Sequence, residues 1–236
     1  INAGIANACT GDEGMDACRR TARAAAAKLG LDVNDVLVAS TGVIGMRLPP
    51  EKLEGGIAAM CGTAEDKKAA DNVSSEGETA PQTLSATRAA AHAAARAIMT
   101  TDTKPKEVAV TVELGGATVT IGGMCKGSGM IHPNMGTMLS FIMTDCAIEK
   151  GLLQKALSAT VADTYNMISV DGDTSTNDTC IVLANGMAKN KRITEEDESW
   201  QLFYDALYDV CRELAVQSSK ELDQARIALE MAGYDK

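Results

Sequence analysis

The residue with the most specific chemical potential is Thr137, which follows Gly136 near the end of the glycine-containing segment 126–139, KGSGMIHPNMGTML. A threonine hydroxyl behind a small residue can attack the preceding carbonyl, and hydrolysis of the resulting ester then cuts the chain. Gly136 suits this acyl shift because glycine tolerates strained backbone dihedrals. The new N-terminal threonine would carry a nucleophile and a base together, since an α-amine has a pKa of about 7.7–8.0. The segment is therefore a candidate for self-cleavage that exposes an N-terminal threonine nucleophile.

Two other interpretations fit the same segment. Threonine is a common helix N-cap, and Thr137 precedes the apolar run 138–142, so a helix that starts there explains the spacing without any chemistry. Lys126 and the glycines after it resemble a phosphate-binding loop, but the lysine leads the glycines instead of following them. His132 fits either a role beside Thr137 or packing within the loop.

Four aspartates raise the question of a metal site: Asp102, and the group formed by Asp171, Asp173 and Asp178. The segment 171–178, DGDTSTND, lacks the loop glycine and the terminal glutamate of a calcium-binding EF-hand. Because Asp, Ser, Thr and Asn favour turns, we predict a hydrogen-bonded turn and no metal.

Composition narrows the class of partner. The chain has 22 Lys and Arg against 32 Asp and Glu, a net charge of -10, which argues against nucleic acid and anionic membranes as partners. Its seven cysteines include no Cys-x-x-Cys pair, so we expect neither a disulfide framework nor a zinc site, and we expect a reducing cytoplasm. Cys125 is expected to be a small buried apolar residue. No apolar run approaches the roughly 20 residues that span a bilayer.

The helices and strands that must position these residues can be predicted from hydrophobic periodicity and from the glycine and proline residues that end them. Gly115 and Gly116 separate two β-branched runs, which is typical of a hairpin that leads directly into the Lys126 segment. Proline at residue 50 and glycine at residue 30 mark a helix start and a helix stop. The patterns predict helices over 15–29, 50–60, 84–99, 138–149, 152–165 and 195–231, strands over 35–40, 108–114, 117–121, 167–170 and 180–184, and a polar loop over 64–83.

The order of these elements indicates the fold class. Strands and helices alternate irregularly, with at least one antiparallel pair, so we predict an α/β fold that is a mixed-sheet layered sandwich. A chain of 236 residues that is 45% hydrophobic can bury a core in one or two domains.

Five segments, in the same order along the chain, resemble one enzyme family. That family is the bifunctional ornithine acetyltransferase/N-acetylglutamate synthase of arginine biosynthesis, whose members use an N-terminal threonine. The matching segments are the asparagine-containing opening 2–11, the oxyanion-hole motif 40–45, the substrate-contacting segment 97–103, the self-cleavage motif 126–139 and the further signature 168–178.

The resemblance implies an N-terminal-nucleophile fold, shared with β-peptidyl aminopeptidases, and assigns roles to individual residues. Thr137 is the implied nucleophile, freed by cleavage between Gly136 and Thr137, and Thr41 with Gly42 forms the oxyanion hole. The resemblance also implies that the substrate is contacted by Thr100, Lys126 and Thr137. The implied reaction moves acetyl from N-acetylornithine to glutamate without a cofactor, and it stays open whether acetyl-coenzyme A also serves as donor. The pieces 1–136 (α part) and 137–236 (β part) would assemble as an α2β2 heterotetramer.

The chain also departs from the family pattern. It begins inside the pattern, carries an apparent insertion at 64–87, has Gly136 where alanine is usual, and shows no further signature after Leu214, so we expect a fragment or a truncated member. Two alternative functions stay open: a related aminopeptidase that passes the acyl group to water, and an inactive remnant. If the family resemblance is set aside, the residues alone favour structural roles. Thr41 would then be a turn residue, Thr100 a helix C-terminal residue and Lys126 a solvated loop charge.

Overall fold

The structure is a computed structural model that describes residues 1–61, 81–127, 138–168 and 175–231, with backbone alone at 81–87 and 221–231. The chain forms two compact units, Ile1–Ile98 and Met99–Lys236. This division concerns the packing of the chain and does not test the predicted parts 1–136 and 137–236, which are defined by where the backbone would be cut.

The first unit combines two short parallel strands with helices. Strands β1 (Asn2–Ile5) and β2 (Ser40–Val43) pair in parallel, and helix α1 (Gly11–Leu29) lies between them in sequence. Asp12 and Glu13 occupy the first turn of α1, where acids favour the helix dipole, and Gly30 ends the helix with a φ of 70°. Helices α2 (Pro50–Met60) and α3 (Pro81–Ala97) follow. The predicted helices 15–29 and 50–60 are confirmed, whereas α3 begins three residues before the predicted position 84.

The predicted strand over residues 35–40 is wrong. Residues Val33–Asp35 form a 3-10 turn, and the strand begins only at Ser40. The cause is local, because the side chain of Asp32 accepts a hydrogen bond from the N–H of Asn34 at 2.8 Å. Such an Asp turn competes with an extended backbone and delays the strand. Thr41 and Gly42 therefore lie inside β2 and not in a turn after a strand.

The second unit contains a four-stranded mixed sheet in the order β3 (Lys106–Leu114), β4 (Ala117–Lys126), β5 (Leu139–Thr144) and β6 (Thr179–Ala184). The first two pairs are antiparallel and the β5–β6 pair is parallel. Gly115 and Gly116 have φ angles of 59° and 87°, as a two-residue hairpin turn requires. The predicted hairpin, the strand at 180–184 and the α/β fold with a mixed sheet are confirmed.

The predicted helix over residues 138–149 is wrong, because Leu139–Thr144 is strand β5. Its side chains are buried on both faces of the sheet, apart from Met143, so the sequence shows no two-residue alternation. A fully buried strand and a buried helix segment cannot be told apart by periodicity. The next helix, α4 (Lys150–Asp163), is the one predicted over 152–165, and Gly151 lies inside it instead of joining two helices. The predicted strand 167–170 is contradicted at its start, since Tyr165–Met167 is a 3-10 turn; residues 169 and 170 lie outside the described residues.

The core of the second unit lies between the sheet and the long helix α5 (Glu198–Met231), which confirms the predicted helical tail. The apolar side chains of α5 that are fully buried recur at helical spacing and face the sheet. They are Phe203, Leu207, Val210, Cys211 and Leu214. Gly123 on β4 allows the close approach, because a Cβ there would lie 3.0 Å from Leu214 Cδ1. Among the residues that the structure describes, no helix combines the length and apolarity needed to cross a bilayer.

Candidate active site

In the first unit, the predicted oxyanion-hole residues lie on strand β2 opposite a second glycine. Thr41 is 1% exposed, and Gly42 is in register with Gly4 of β1. The φ angle of Gly42 is +129°, and a Cβ at that position would lie 2.2 Å from the carbonyl carbon of Gly4. Only glycine therefore lets the two backbones approach so closely at this point.

Asn7 connects the start of β2 to the segment after β1 and to helix α1. The N–H of Asn7 donates to Ser40 Oγ at 2.9 Å, which ties the end of β1 to the start of β2. The Asn7 amide also donates to the carbonyl of Gly14 at 2.8 Å, and the Thr10 hydroxyl donates to Asn7 Oδ1 at 2.7 Å. The opening segment is thus bonded to Ser40, the residue directly before Thr41 and Gly42, and this bond helps to fix their position.

In the second unit, two of the three predicted substrate-contact residues, Thr100 and Lys126, lie together. Lys126 is the last residue of β4 and is only 2% exposed, and its Nζ donates to Thr100 Oγ1 at 2.9 Å. Thr100 lies three residues beyond the end of α3. The interpretation of Lys126 as a solvated loop charge is therefore wrong. Burial lowers the pKa of the Lys126 ammonium below its ordinary value of 10.5, while attraction to Asp102 and Asp178 opposes that change.

A buried ion pair lies beside these two residues. Lys106 Nζ contacts Asp102 Oδ1 at 2.6 Å, and the two side chains are 3% and 0% exposed. Asp102 also accepts the N–H of Gly127 at 2.7 Å and the N–H of Thr100 at 3.2 Å. Burial alone would raise the pKa of the Asp102 carboxyl, but the Gly127 N–H and the Lys106 ammonium outweigh burial and hold that pKa below its ordinary value.

A second carboxylate lies where β5 and β6 begin. Leu139 is in register with Lys126 on one side and with Thr179 on the other. Asp178, one residue before Thr179, accepts the N–H of Met138 at 2.8 Å through Oδ1. Its Oδ2 is buried. Burial raises the pKa of Asp178 to about 6, although the Met138 N–H opposes this change.

Comparison with known proteins decides the family. The family model described as ArgJ family matches residues 1–231 of this chain. The chain belongs to the ArgJ family.

Two curated relatives carry the same family name, and one solved structure is similar over part of the chain. The "arginine biosynthesis bifunctional protein ArgJ" of Caldanaerobacter subterraneus subsp. tengcongensis is 48% identical over 98% of this chain and 52% of its own length. The Bacillus subtilis protein of the same name is 41% identical over 98% of this chain and 51% of its own length. A crystal structure of ArgJ from Bacillus halodurans shares 37% identity and a TM-score of 0.42, covering 58% of this chain and 59% of that chain. The chain thus spans about half the length of the curated relatives that it matches, and the family match continues past Leu214 to residue 231.

Several of the predicted site residues lie outside the residues that the structure describes. They are Gly136 and Thr137 at the expected cleavage point, and with them His132, Asp171 and Asp173. A helix beginning at Thr137 is nevertheless excluded, since the residues from Leu139 onwards form a strand. Just before Asp178, the N–H of Asn177 donates to Ser175 Oγ at 3.2 Å, as expected for the end of the predicted hydrogen-bonded turn. Within the described ranges, no group of three or more His, Cys, Asp or Glu residues is arranged to hold a metal ion.

The environment of Cys125 agrees with its predicted role as a small buried apolar residue. All seven cysteines are free thiols. Cys125 is 1% exposed, and burial raises the pKa of its thiol to about 12. A thiol that stays protonated and buried behaves as a small apolar residue, as expected for Cys125.

Sequence reasoning missed Lys106, although a signal for it was present. Val108, Val110, Val112 and Leu114 share one face of β3, the face that packs against the core. Lys106 lies two residues before Val108 and so falls on that same inward face. A lysine in a core-facing position requires a buried acidic partner, and Asp102 is the nearest acidic residue before it in the sequence.

Proposed function

We propose that this chain carries the cleavage and nucleophile portion of an acetyltransferase of arginine biosynthesis. The enzyme moves acetyl from N-acetylornithine to glutamate through an acetyl-threonine intermediate. One observation carries the proposal beyond family membership: the buried Lys126 ammonium, 2.9 Å from Thr100 Oγ1, lies where β4 passes into the motif that contains Thr137. Both residues are among the three that the family resemblance assigns to substrate contact.

The first step of the proposed mechanism is self-cleavage. The Thr137 hydroxyl attacks the carbonyl carbon of Gly136, the peptide bond to the Thr137 nitrogen breaks, and an ester replaces it. Water then hydrolyses the ester, which leaves a carboxylate on Gly136 and a free α-amine on Thr137. Because the reference pKa of an α-amine is about 7.7–8.0, a useful fraction is unprotonated near neutral pH.

Acetyl transfer then proceeds in two halves. The α-amine removes the proton from the Thr137 hydroxyl, the oxygen attacks the acetyl carbon of N-acetylornithine, and ornithine leaves with the proton. The amine of glutamate attacks the acetyl ester in the reverse sense and departs as N-acetylglutamate. Thr41 and the Gly42 N–H would donate to the oxyanion of each tetrahedral intermediate, and one such donor is worth about 10²–10³ in rate.

Lys126 and Thr100 suit a substrate that carries an α-carboxylate. An ammonium in a water-poor site attracts a carboxylate more strongly than one in bulk solvent, because the effective dielectric is lower there. The hydroxyl of Thr100 accepts from Lys126 and so fixes the direction of the ammonium. Neither residue undergoes a change in bonding during acetyl transfer; both orient the amino acid.

Three further features belong to the proposal. The cleavage products 1–136 and 137–236 assemble with each other as an α2β2 heterotetramer in the cytoplasm. The transfer needs no cofactor, because the acetyl group passes between two amino acids through a side chain of the protein. Acetyl-coenzyme A is a candidate second acetyl donor. An assay of glutamate acetylation with acetyl-coenzyme A as the donor tests this.

The test uses the protein at its natural length. Intact mass measurement should find two polypeptides separated at Gly136 and Thr137, and ornithine release from N-acetylornithine should require glutamate for turnover. Release at the same rate without glutamate would assign the protein to the hydrolytic aminopeptidase class instead. An uncut protein that releases no ornithine would favour the inactive remnant.

A further inference from the structure

Asp102 connects three parts of the second unit through a single buried carboxylate. It accepts the N–H of Thr100 after α3, the ammonium of Lys106 at the start of β3, and the N–H of Gly127 after β4. Its side chain is 0% exposed. The carboxylate is therefore shielded from bulk water, and its position is set by these protein contacts.

The two N–H groups that Asp102 accepts belong to the backbone around the proposed substrate contacts. One is the amide of Thr100 itself. The other is the amide of Gly127, which lies in the peptide group that joins Lys126 to Gly127. A shift of Asp102 would thus rotate the backbone that carries the Thr100 hydroxyl and the backbone that carries the Lys126 side chain. These two side chains meet at 2.9 Å, so both must be held for the contact to persist.

Lys106 has a separate role in this arrangement. Its ammonium balances the charge of Asp102 at 2.6 Å, and the pair together is neutral. A buried carboxylate without that partner would attract the nearby Lys126 ammonium away from a substrate carboxylate. The two neighbouring lysines therefore differ in function, one neutralising an internal acid and one facing Thr100.

We propose that Asp102 is a positioning residue for substrate binding, which acts by fixing the Thr100 and Gly127 backbone amides while Lys106 neutralises its charge. The inference rests on the proposed function, since it takes Thr100 and Lys126 as the groups that contact the amino-acid substrate. In this role Asp102 acts through the two backbone amides and not through contact with the substrate.

The decisive comparison uses two double variants of the protein at its natural length. Asp102→Asn with Lys106→Met removes both charges but keeps an oxygen that can accept the Gly127 N–H. Asp102→Leu with Lys106→Met removes the same charges and also that acceptor. Because neutral replacement of a buried ion pair is often tolerated, both are expected to fold. Kinetics of ornithine release from N-acetylornithine give KM and kcat for each.

The inference predicts that KM rises in the order unaltered protein, asparagine variant, leucine variant. The leucine variant should lie about tenfold or more above the asparagine variant, because asparagine keeps an acceptor for one of the two amides and leucine keeps none. Equal KM values in the two double variants would overturn the positioning role. Lys126→Met is measured beside them: if it raises KM while the double variants agree, the proposed function stands and only the role of Asp102 falls. If Lys126→Met leaves KM unchanged, the substrate site and the inference both fall.

A second measurement does not depend on the folding of any variant. Hydrogen exchange of the Thr100 and Gly127 amides in the unaltered protein reports whether they are held. Slow exchange at both positions supports the role of Asp102, and exchange at the rate of an open chain at either one overturns it.

Discussion

The carboxylate of Asp178 and the backbone N–H of Met138 are joined by a hydrogen bond of 2.8 Å. The bond crosses from the residue that precedes β6 to the residue that precedes β5, two strands that run in parallel. Met138 is also the residue that directly follows the proposed nucleophile in the sequence. The contact therefore fixes the backbone on the carboxyl side of Thr137 by means of a side chain that titrates near pH 6.

We predict that Asp178→Asn changes the pH dependence of stability in a defined direction. Burial raises the pKa of Asp178 from its ordinary value of 3.8 to about 6, so between these values the folded protein binds more protons than the unfolded chain. The contribution of Asp178 to stability is therefore full below pH 3.8 and is lost as the pH rises through 6. Asparagine keeps an acceptor for Met138 and has no such titration. Urea unfolding should show that, as the pH rises from 3.8 to about 6, the free energy of unfolding of the variant increases relative to that of the unaltered protein.

A constant difference in the free energy of unfolding across that pH range would contradict the titration of Asp178. Asp145→Asn does not serve as a control, because that carboxylate accepts the N–H of Thr120. Asp209→Asn is suitable, since Asp209 is exposed on α5.

Elements with strong local signals could be predicted from the sequence. The Gly115–Gly116 turn demands positive φ angles and flanking β-branched runs, and the hairpin follows from those facts alone. Helix α1 is marked by acids at its start and by Gly30 at its end. Strand β5 is different, because whether its apolar residues form a strand or a helix depends on the partners β4 and β6, which lie elsewhere in the chain.

The candidate site divides in the same way. Motifs identified Thr100 and Lys126, and the structure brings them within hydrogen-bonding distance. The contact of Asp178 with Met138 depends on the pairing of β5 with β6, which the sequence does not specify. Asp102 and Lys106 are four residues apart and pair locally. The sequence gives a partial signal for Lys106. Side chains alternate between the two faces of β3, so Lys106 falls on the face that packs against the core.

We predict that Gly42→Ala destabilises the protein more than Gly4→Ala. Both glycines have positive φ angles, +129° and +108°, so each alanine carries a strain of about 1–3 kcal/mol. Only the Cβ at position 42 meets the opposite backbone, at 2.2 Å from Gly4 C, whereas nothing lies within 4 Å of a Cβ at position 4. We expect the Gly42 variant to lose about 2 kcal/mol more in the free energy of unfolding, measured by urea denaturation. Equal losses would show that the strands separate freely.

We predict that Lys126→Met weakens substrate binding without weakening the fold. Burial lowers the pKa of Lys126 below 10.5, so the protonated lysine opposes folding at neutral pH, and this cost fades as the pH rises towards 10.5. Methionine has a similar length and no charge. The variant should therefore match or exceed the Tm of the unaltered protein at pH 7, while KM for N-acetylornithine rises by about tenfold or more.

The matched control for charge removal is Lys191→Met, which alters an exposed lysine of the same unit. It should change neither KM nor Tm appreciably. A fall in Tm for Lys126→Met, with KM unchanged, would instead assign Lys126 a purely structural role.

We predict that Thr137→Ala abolishes cleavage of the chain, because alanine has no hydroxyl to attack the Gly136 carbonyl. Thr137→Ser keeps a hydroxyl and should still be cut, at a rate that a time course on a denaturing gel can measure. Intact mass measurement then locates the new ends at Gly136 and at residue 137. Cleavage at the same bond in the alanine variant would mean that another group, or a contaminating protease, breaks it. Acetyl transfer should disappear with cleavage, since the α-amine that acts as base exists only after the bond is broken.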